Sequence, residues 1–162
     1  SELTVVIGEL AIPDPRSVNR FDDIPPETLH ALRIIEPAIY GGPLKTVGRA
    51  AHLLRNMDEA KFNLSARPVG EAMPSGVAVV HEGVRDFWVQ SIAVDPRYRG
   101  LGVGSTLMRT IEKIGRTQAM RAIRLRVIGE SALEFYERLG YYPDRSGNEN
   151  SVVIDLHKPL AP

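Results

Sequence analysis

A mixed α/β domain is the fold class this sequence predicts, and three observations carry the prediction. Strand-like apolar runs and helical apolar stripes interleave along the chain instead of gathering at one end. A run from Phe87 to Val94 stops at Asp95-Pro96 and passes through Gly100, Gly102 and Gly104 into a helical stripe. The 162 residues, 43% hydrophobic and 25% charged, have the size and composition of one globular unit, taken as residues 1–162.

The elements follow in order. Leu3 to Leu10 (LTVVIGEL) reads as a first strand, and Ala11 to Pro26, with Pro13, Pro15, Pro25 and Pro26, as an extended connection. Pro25-Pro26-Glu27 opens a helix with Leu29, Leu32, Ile35 and Ile39 on one stripe, which Pro37 is expected to end or kink. After the break at Tyr40-Gly41-Gly42-Pro43, a second amphipathic helix over residues 44–60 carries Val47, Ala50, Ala51, Leu54 and Met57. Three strands come next, Phe62 to Val69, Gly76 to Glu82 and Arg85 to Val94. The helix beyond the glycines has Val103, Leu107, Ile111 and Ile114 on one face, with Glu112, Lys113 and Arg116 expected in water. Strand 122–128, helix 131–139, a short strand near Tyr141 to Asp144 and strand 151–157 complete the order β-α-α-β-β-β-α-β-α-β-β.

Composition removes several function classes. Lys plus Arg and Asp plus Glu are both 20, so bulk charge gives no reason to expect a nucleic-acid partner. No cysteine is present, which excludes disulfides, Cys-based metal sites and an acyl-Cys intermediate. His30, His52, His81 and His157 are scattered without metal-ligand spacing, so no metal is expected. No apolar run reaches the length of a membrane span, and the N-terminus lacks a signal-peptide pattern; a cytoplasmic protein without membrane contact is the default expectation.

The glycine turn carries the chemistry. Gly100, Gly102 and Gly104 remove side chains where a backbone must come close to a ligand. The helix behind them begins with unpaired N–H groups and a partial positive charge, a combination suited to phosphate. A Walker loop needs a Lys after its last glycine, whereas the chain has Gly104-Ser105-Thr106. A Rossmann turn needs glycine where Ser105 stands. Both are poor matches.

Arg99-x-x-Gly102-x-Gly104 instead resembles the acyl-CoA loop, Arg/Gln-x-x-Gly-x-Gly/Ala, of the GCN5-related N-acetyltransferases (the GNAT family). A second block agrees: Ala132, Phe135, Tyr136, Gly140 and Tyr141 match the family's A-x-x-F/L-Y-x-x-x-G-F/Y after a strand. The final strand with its Lys158-Pro159-Leu160 finish is also similar, so the resemblance spans roughly residues 77–160.

The resemblance implies a GNAT-like fold, a central and mostly antiparallel mixed sheet splayed between its fourth and fifth strands and flanked by helices. It implies acetyl-CoA as cosubstrate, without a metal, and an amine of a small molecule or peptide as acceptor, the two held together in a ternary complex. Ile92, Ala93 and Val94 would pair with the pantetheine amides like an added strand. A backbone N–H of Ile92 or Val94 would sit near the thioester oxygen, where charge develops. Arg99, Gly100, Leu101, Gly102, Val103, Gly104 and Ser105 would hold the pyrophosphate. Tyr136 would serve the departing thiolate as general acid and lie against the cofactor. Glu82 is a candidate base, with Asp86 and His81 as alternatives, because the fourth strand carries Gln90 and Ser91 in its centre. The family's asparagine before the second half's helix is missing, and Ser131 is its nearest replacement. Tyr40 to Leu44 and Asp144 to Asn150 stand where acceptor choice and a lid are expected, and the long Ala11 to Pro26 segment is a further candidate cover. Homodimers are common in the family. A non-catalytic acyl-CoA-binding module, with the glycine loop but no acid–base chemistry, is the alternative reading.

Overall fold

The structure, a computed structural model, describes residues 2–144 and 153–161. The elements run in the expected order: β1 (Val5–Glu9), α1 (Pro26–Tyr40), α2 (Val47–Glu59), β2 (Phe62–Pro68), β3 (Gly76–Glu82), β4 (Asp86–Val94), α3 (Val103–Thr117), β5 (Ala122–Ile128), α4 (Glu130–Arg138), β6 (Tyr142–Pro143) and β7 (Val153–Pro159). They form a 7-stranded sheet in the order β1-β2-β3-β4-β5-β7-β6. Among the described residues only β4 and β5 pair in parallel; the other ladders are antiparallel.

Two features of β4 shape the molecule. Its register with β3 slips so that Val79 faces Ser91 while Val80 faces Val89, leaving Gln90 as the extra residue of a bulge. Its parallel ladder with β5 covers only Asp86↔Ala122 to Val89↔Leu125. Beyond those residues β5 stays with β7, as far as Ile128↔Val153, while β4 bends away with β3. The sheet therefore parts at the bulge, as expected for strands four and five.

A core lies on each face. On one, Phe87, Val89, Ile123, Leu125 and Val127 alternate inward against Val103, Leu107, Met108 and Ile111 of α3. Phe62 meets Phe87 edge to face, with ring centroids 5.3 Å apart, worth about 0.5–1.5 kcal/mol beyond area burial. On the other face, Val77, Val79 and Ala93 pack against α1 and α2. The connection 11–26 closes this second core with buried Val18 and Ile24, so it covers α1 and α2 rather than the parting of the sheet. On β5, Arg124 reaches the Asp86 carboxylate at 2.7 Å and Arg126 reaches that of Asp155 at 2.7 Å.

Two expectations need correction. Helix α1 runs through Pro37 to Tyr40 and stops at Gly41, whose N–H donates to the Pro37 carbonyl at 3.1 Å. An interior proline costs about 3 kcal/mol, but Ala31, Leu32, Ile34 and Ile35 are all buried. The last turn is also held: Arg49 bonds both oxygens of buried Glu36 (2.9 and 3.1 Å), and its guanidinium lies 4.4 Å from the Tyr40 ring centre. The second correction is Glu112, expected in water and found 4% exposed. Its carboxylate accepts from the Tyr141 hydroxyl at 2.9 Å and from Lys158 Nζ at 2.8 Å, partners that helical periodicity does not reveal.

Candidate active site

Where β4 leaves β5, a cavity of about 840 Å³ opens through the sheet. Ile92, Ala93 and Val94 form its strand wall. Tyr98, Arg99, Gly100, Gly102, Val103, Gly104 and Ser105 form one end, and Ser131, Ala132, Phe135, Tyr136 and Arg138 of α4 the facing side. Ala38 reaches it from α1, on the other face of the sheet. The volume lies in the range of small-molecule sites, roughly 300–1,000 Å³.

The strand wall has free backbone. The Asp95 N–H donates to the Ser75 carbonyl at 2.8 Å, turning that residue toward the β3 side. By the alternation of an antiparallel ladder, Ile92 and Val94 then direct their backbone groups into the parting. Asp95 ends the strand by accepting from the Arg97 N–H at 3.0 Å, and its carboxylate also holds the Arg97 guanidinium at 2.9 Å. That guanidinium, its largest influence, keeps the Asp95 carboxyl below the usual carboxylate range. Arg97 is thereby committed to the turn. Arg99 and Arg138 have no salt bridge among the described residues, and both are exposed at the cavity.

The glycine loop is a cradle. Gly102 sits at the N-cap of α3 with φ of 84°, a left-handed conformation open mainly to glycine, and no side chain caps the helix. The first N–H groups of α3 are left for a ligand. A Cβ on Gly104 would lie 3.3 Å from Phe135 Cζ, inside the space between α3 and α4. Leu101 is turned away: it does not line the cavity, and its carbonyl accepts from the Leu3 N–H at 2.8 Å. These features fit a phosphate-bearing cofactor.

Tyr136 lies across from the strand wall, 6% exposed. Its ring packs edge to face on Phe135 and Tyr141, with centroids 4.9 and 5.7 Å away. Burial alone pushes its phenol above the ordinary value of about 10, with no hydrogen bond contributing. The group is therefore protonated and has its proton to donate at neutral pH.

The candidate bases do not join this site. Glu82 pairs with Phe87 at the closed end of β4 and reaches Lys61 Nζ at 3.2 Å. Ile92 lies farther along the strand by roughly 16 Å, at about 3.3 Å per residue. Asp86 is also at that end, holding Arg124 at 2.7 Å, and the His81 Nε2 is buried opposite Trp88 without a protein partner. Among the described residues no carboxylate lines the cavity. Ser131, by contrast, does line it. Of the two lid candidates, Tyr40 is packed under Arg49, and residues 145–150 lie outside the described residues. Sequence reasoning missed Ala38, Tyr98 and Arg138; only the parting of β4 and β5 brings these distant elements to one opening. Among the described residues no group of three His, Cys, Asp or Glu could hold a metal ion, and no helix is long and apolar enough to cross a membrane.

A sheet parted beside a glycine-capped helix N-terminus, with a cavity between them, marks an α/β domain with a ligand-sized opening at the end of β4. Residues 47–141 match the model of the acetyltransferase (GNAT) family, more than half of the chain, and the protein belongs to that family. Over 68 residues, 42% of its length, the chain is 32% identical to a glucosamine 6-phosphate N-acetyltransferase of Trypanosoma brucei brucei; the matched stretch spans 43% of that relative. In fold it is similar to the ribosomal-protein-S18-alanine N-acetyltransferase of Escherichia coli (TM-score 0.68, 17% identity, 98% of this chain and 95% of that one). It is also similar to the PaiA N-acetyltransferase of Thermoplasma acidophilum, solved in complex with coenzyme A (TM-score 0.67, 15% identity, 97% and 99% covered).

Proposed function

We propose that the protein transfers an acetyl group from acetyl-CoA directly to a primary amine of a small molecule or peptide, with both substrates bound at once. One observation carries the reading: a single cavity has a glycine-cradled helix N-terminus at one end and the protonated phenol of Tyr136 opposite a free strand edge.

Each part has a task. The backbone N–H groups of Gly102, Val103, Gly104 and Ser105 hold the pyrophosphate, and the exposed Arg99 and Arg138 add positive charge at that mouth. The edge of Ile92 to Val94 aligns the pantetheine arm and offers an N–H to the thioester oxygen, where negative charge grows as the amine attacks. Tyr136 donates its proton toward the leaving sulfur. Helices α3 and α4 fill one face of the sheet, so the amine approaches from the face bearing Ala38, Trp88 and Arg126. A free alkylamine has a pKa of about 10.4, so only on the order of 0.1% is neutral near pH 7.5. With no carboxylate on the cavity, proton removal falls to solvent, and side-by-side placement supplies most of the acceleration, at the limit roughly 7–11 kcal/mol.

The same lack of a carboxylate favours, as second reading, a non-catalytic acyl-CoA-binding module. The two separate in one assay. Acetyl-CoA is offered with spermidine, glucosamine 6-phosphate or a peptide with an N-terminal alanine, and thiol release and acetylated product are followed. Tyr136→Phe is expected to lower kcat by roughly 10²-fold while acetyl-CoA affinity stays within about twofold. Wild-type protein that binds acetyl-CoA but acetylates none of these amines favours the module. Equal turnover in Tyr136→Phe removes the acid.

A further inference from the structure

Behind Tyr136, on the side away from the cavity, three side chains meet that the reading above does not use. Glu112 comes from the middle of α3, Tyr141 follows α4, and Lys158 comes from β7. The Glu112 carboxylate, 4% exposed, takes the Tyr141 hydroxyl on one oxygen at 2.9 Å and Lys158 Nζ on the other at 2.8 Å. Lys158 Nζ also donates to the Leu139 carbonyl at 2.8 Å, beside the last turn of α4. Its stem passes under Gly140, where a Cβ would lie 3.4 Å from Lys158 Cε.

Two arms of this network lead to neighbours of Tyr136, the Leu139 backbone and the Tyr141 ring. The Tyr136 carbonyl accepts from the N–H groups of both Leu139 and Tyr141, each at 3.0 Å, so the backbone that Lys158 grips is the backbone that closes on Tyr136. The Tyr141 ring, fixed by its hydroxyl, presents itself edge to face to the Tyr136 ring at 5.7 Å and 73°. Pairing a buried carboxylate with a half-buried ammonium is a poor way to gain stability, because desolvation of the carboxylate offsets much of their attraction and apolar residues of similar size hold helices as well. What such a trio adds is a fixed geometry: hydrogen bonds are directional, and apolar contacts are not.

We propose that Glu112, Tyr141 and Lys158 are positioning residues for Tyr136, holding its phenol at the angle from which it serves the leaving sulfur. The proposal rests on Tyr136 acting as the acid, and the test separates the two. Thiol release from saturating acetyl-CoA is measured with spermidine and with water alone as acceptor. Wild type, Tyr136→Phe, Tyr141→Phe and the double variant are compared, with melting temperatures for all four. Tyr141→Phe removes one oxygen and keeps the ring, so folding is retained; Lys158→Met tests the other arm in the same way.

Tyr141→Phe is expected to lower kcat about tenfold in the wild-type background and less than about twofold when Tyr136 is already Phe. The KM for acetyl-CoA stays unchanged, and the loss in melting temperature is the same in both backgrounds. A residue that merely holds the fold would slow both backgrounds by the same factor, and that result overturns the proposal while leaving the acid in place. Unchanged turnover in Tyr136→Phe, or no thiol release by wild type, removes the acid and the positioning with it.

Discussion

Gly102→Ala isolates what the loop does from what it costs the fold. Gly102 has φ of +84°, where an L side chain pays roughly 1–2 kcal/mol. The atoms nearest the new Cβ are those of the exposed Glu2 side chain, with Cγ at 3.1 Å, whose carboxylate lies 3.7 Å from Arg109. Backbone strain is thus the main structural cost, and for a chain of this size it lowers Tm by roughly 2–8 °C. Gly70, in the turn between β2 and β3, has the same φ of +84° and nothing within 4 Å of its missing Cβ. Gly70→Ala therefore carries the same strain far from the cavity. If the N–H groups behind Gly102 hold the pyrophosphate, relaxation of the strained cap costs at least one charge-assisted hydrogen bond, about 1.5–3 kcal/mol, or roughly 10- to 100-fold in affinity. Thermal melts and calorimetric titration with acetyl-CoA on the two variants provide the comparison. Equal melting losses with weakened binding in Gly102→Ala alone are expected. Wild-type affinity in Gly102→Ala, with the same loss of stability, refutes the cradle.

Other consequences are as direct. Because burial raises the Tyr136 phenol above about 10, kcat should rise with pH and show no falling limb below about pH 9.5; a limb below that pH which vanishes in Tyr136→Phe contradicts it. Asp95 is held by Arg97 below its unfolded pKa of about 3.9. Its carboxylate therefore stabilises the native state above about pH 4, and that contribution is lost as the pH falls through the lower folded value. The melting-temperature gap between wild type and Asp95→Asn should accordingly close as the pH falls below about 4, and a constant gap denies the linkage. Glu36→Ala removes both bonds to Arg49, at 2.9 and 3.1 Å, and should cost about 1.5–3 kcal/mol in denaturant unfolding while freeing the end of α1 at Ala38. No change in stability would mean that solvent replaces the pair fully.

Much of this was legible along the chain. Period-two and helical patterns placed every strand and α-helix of the described residues in order, though not the 3-10 turns at Pro15–Ser17, Phe21–Asp23 and Pro96–Tyr98, and the glycine spacing marked a loop that lines one end of the cavity. Local patterns fail where partners are distant. Glu112 lies beside buried Met108, Ile111 and Gly115 on α3, but its charge reads as solvent-facing until Tyr141 and Lys158, 29 and 46 residues away, supply its partners. Pro37 reads as a helix end because its own ring opposes the helix, while the Glu36–Arg49 pair and the buried stripe that prevail come from tertiary packing. Glu82 looked near the reacting centre because it neighbours β4 in sequence, yet antiparallel register sends it to the closed end. Arg138 and Ala38 reach the cavity from opposite faces of the sheet, a meeting set by the parting of two strands.

The most direct test is calorimetric titration of the folded protein with acetyl-CoA, with ATP and NAD as controls. Saturable one-to-one binding of acetyl-CoA, with neither control competing, is the predicted result. A folded protein that takes up no acetyl-CoA would contradict the assignment of this cavity at its root.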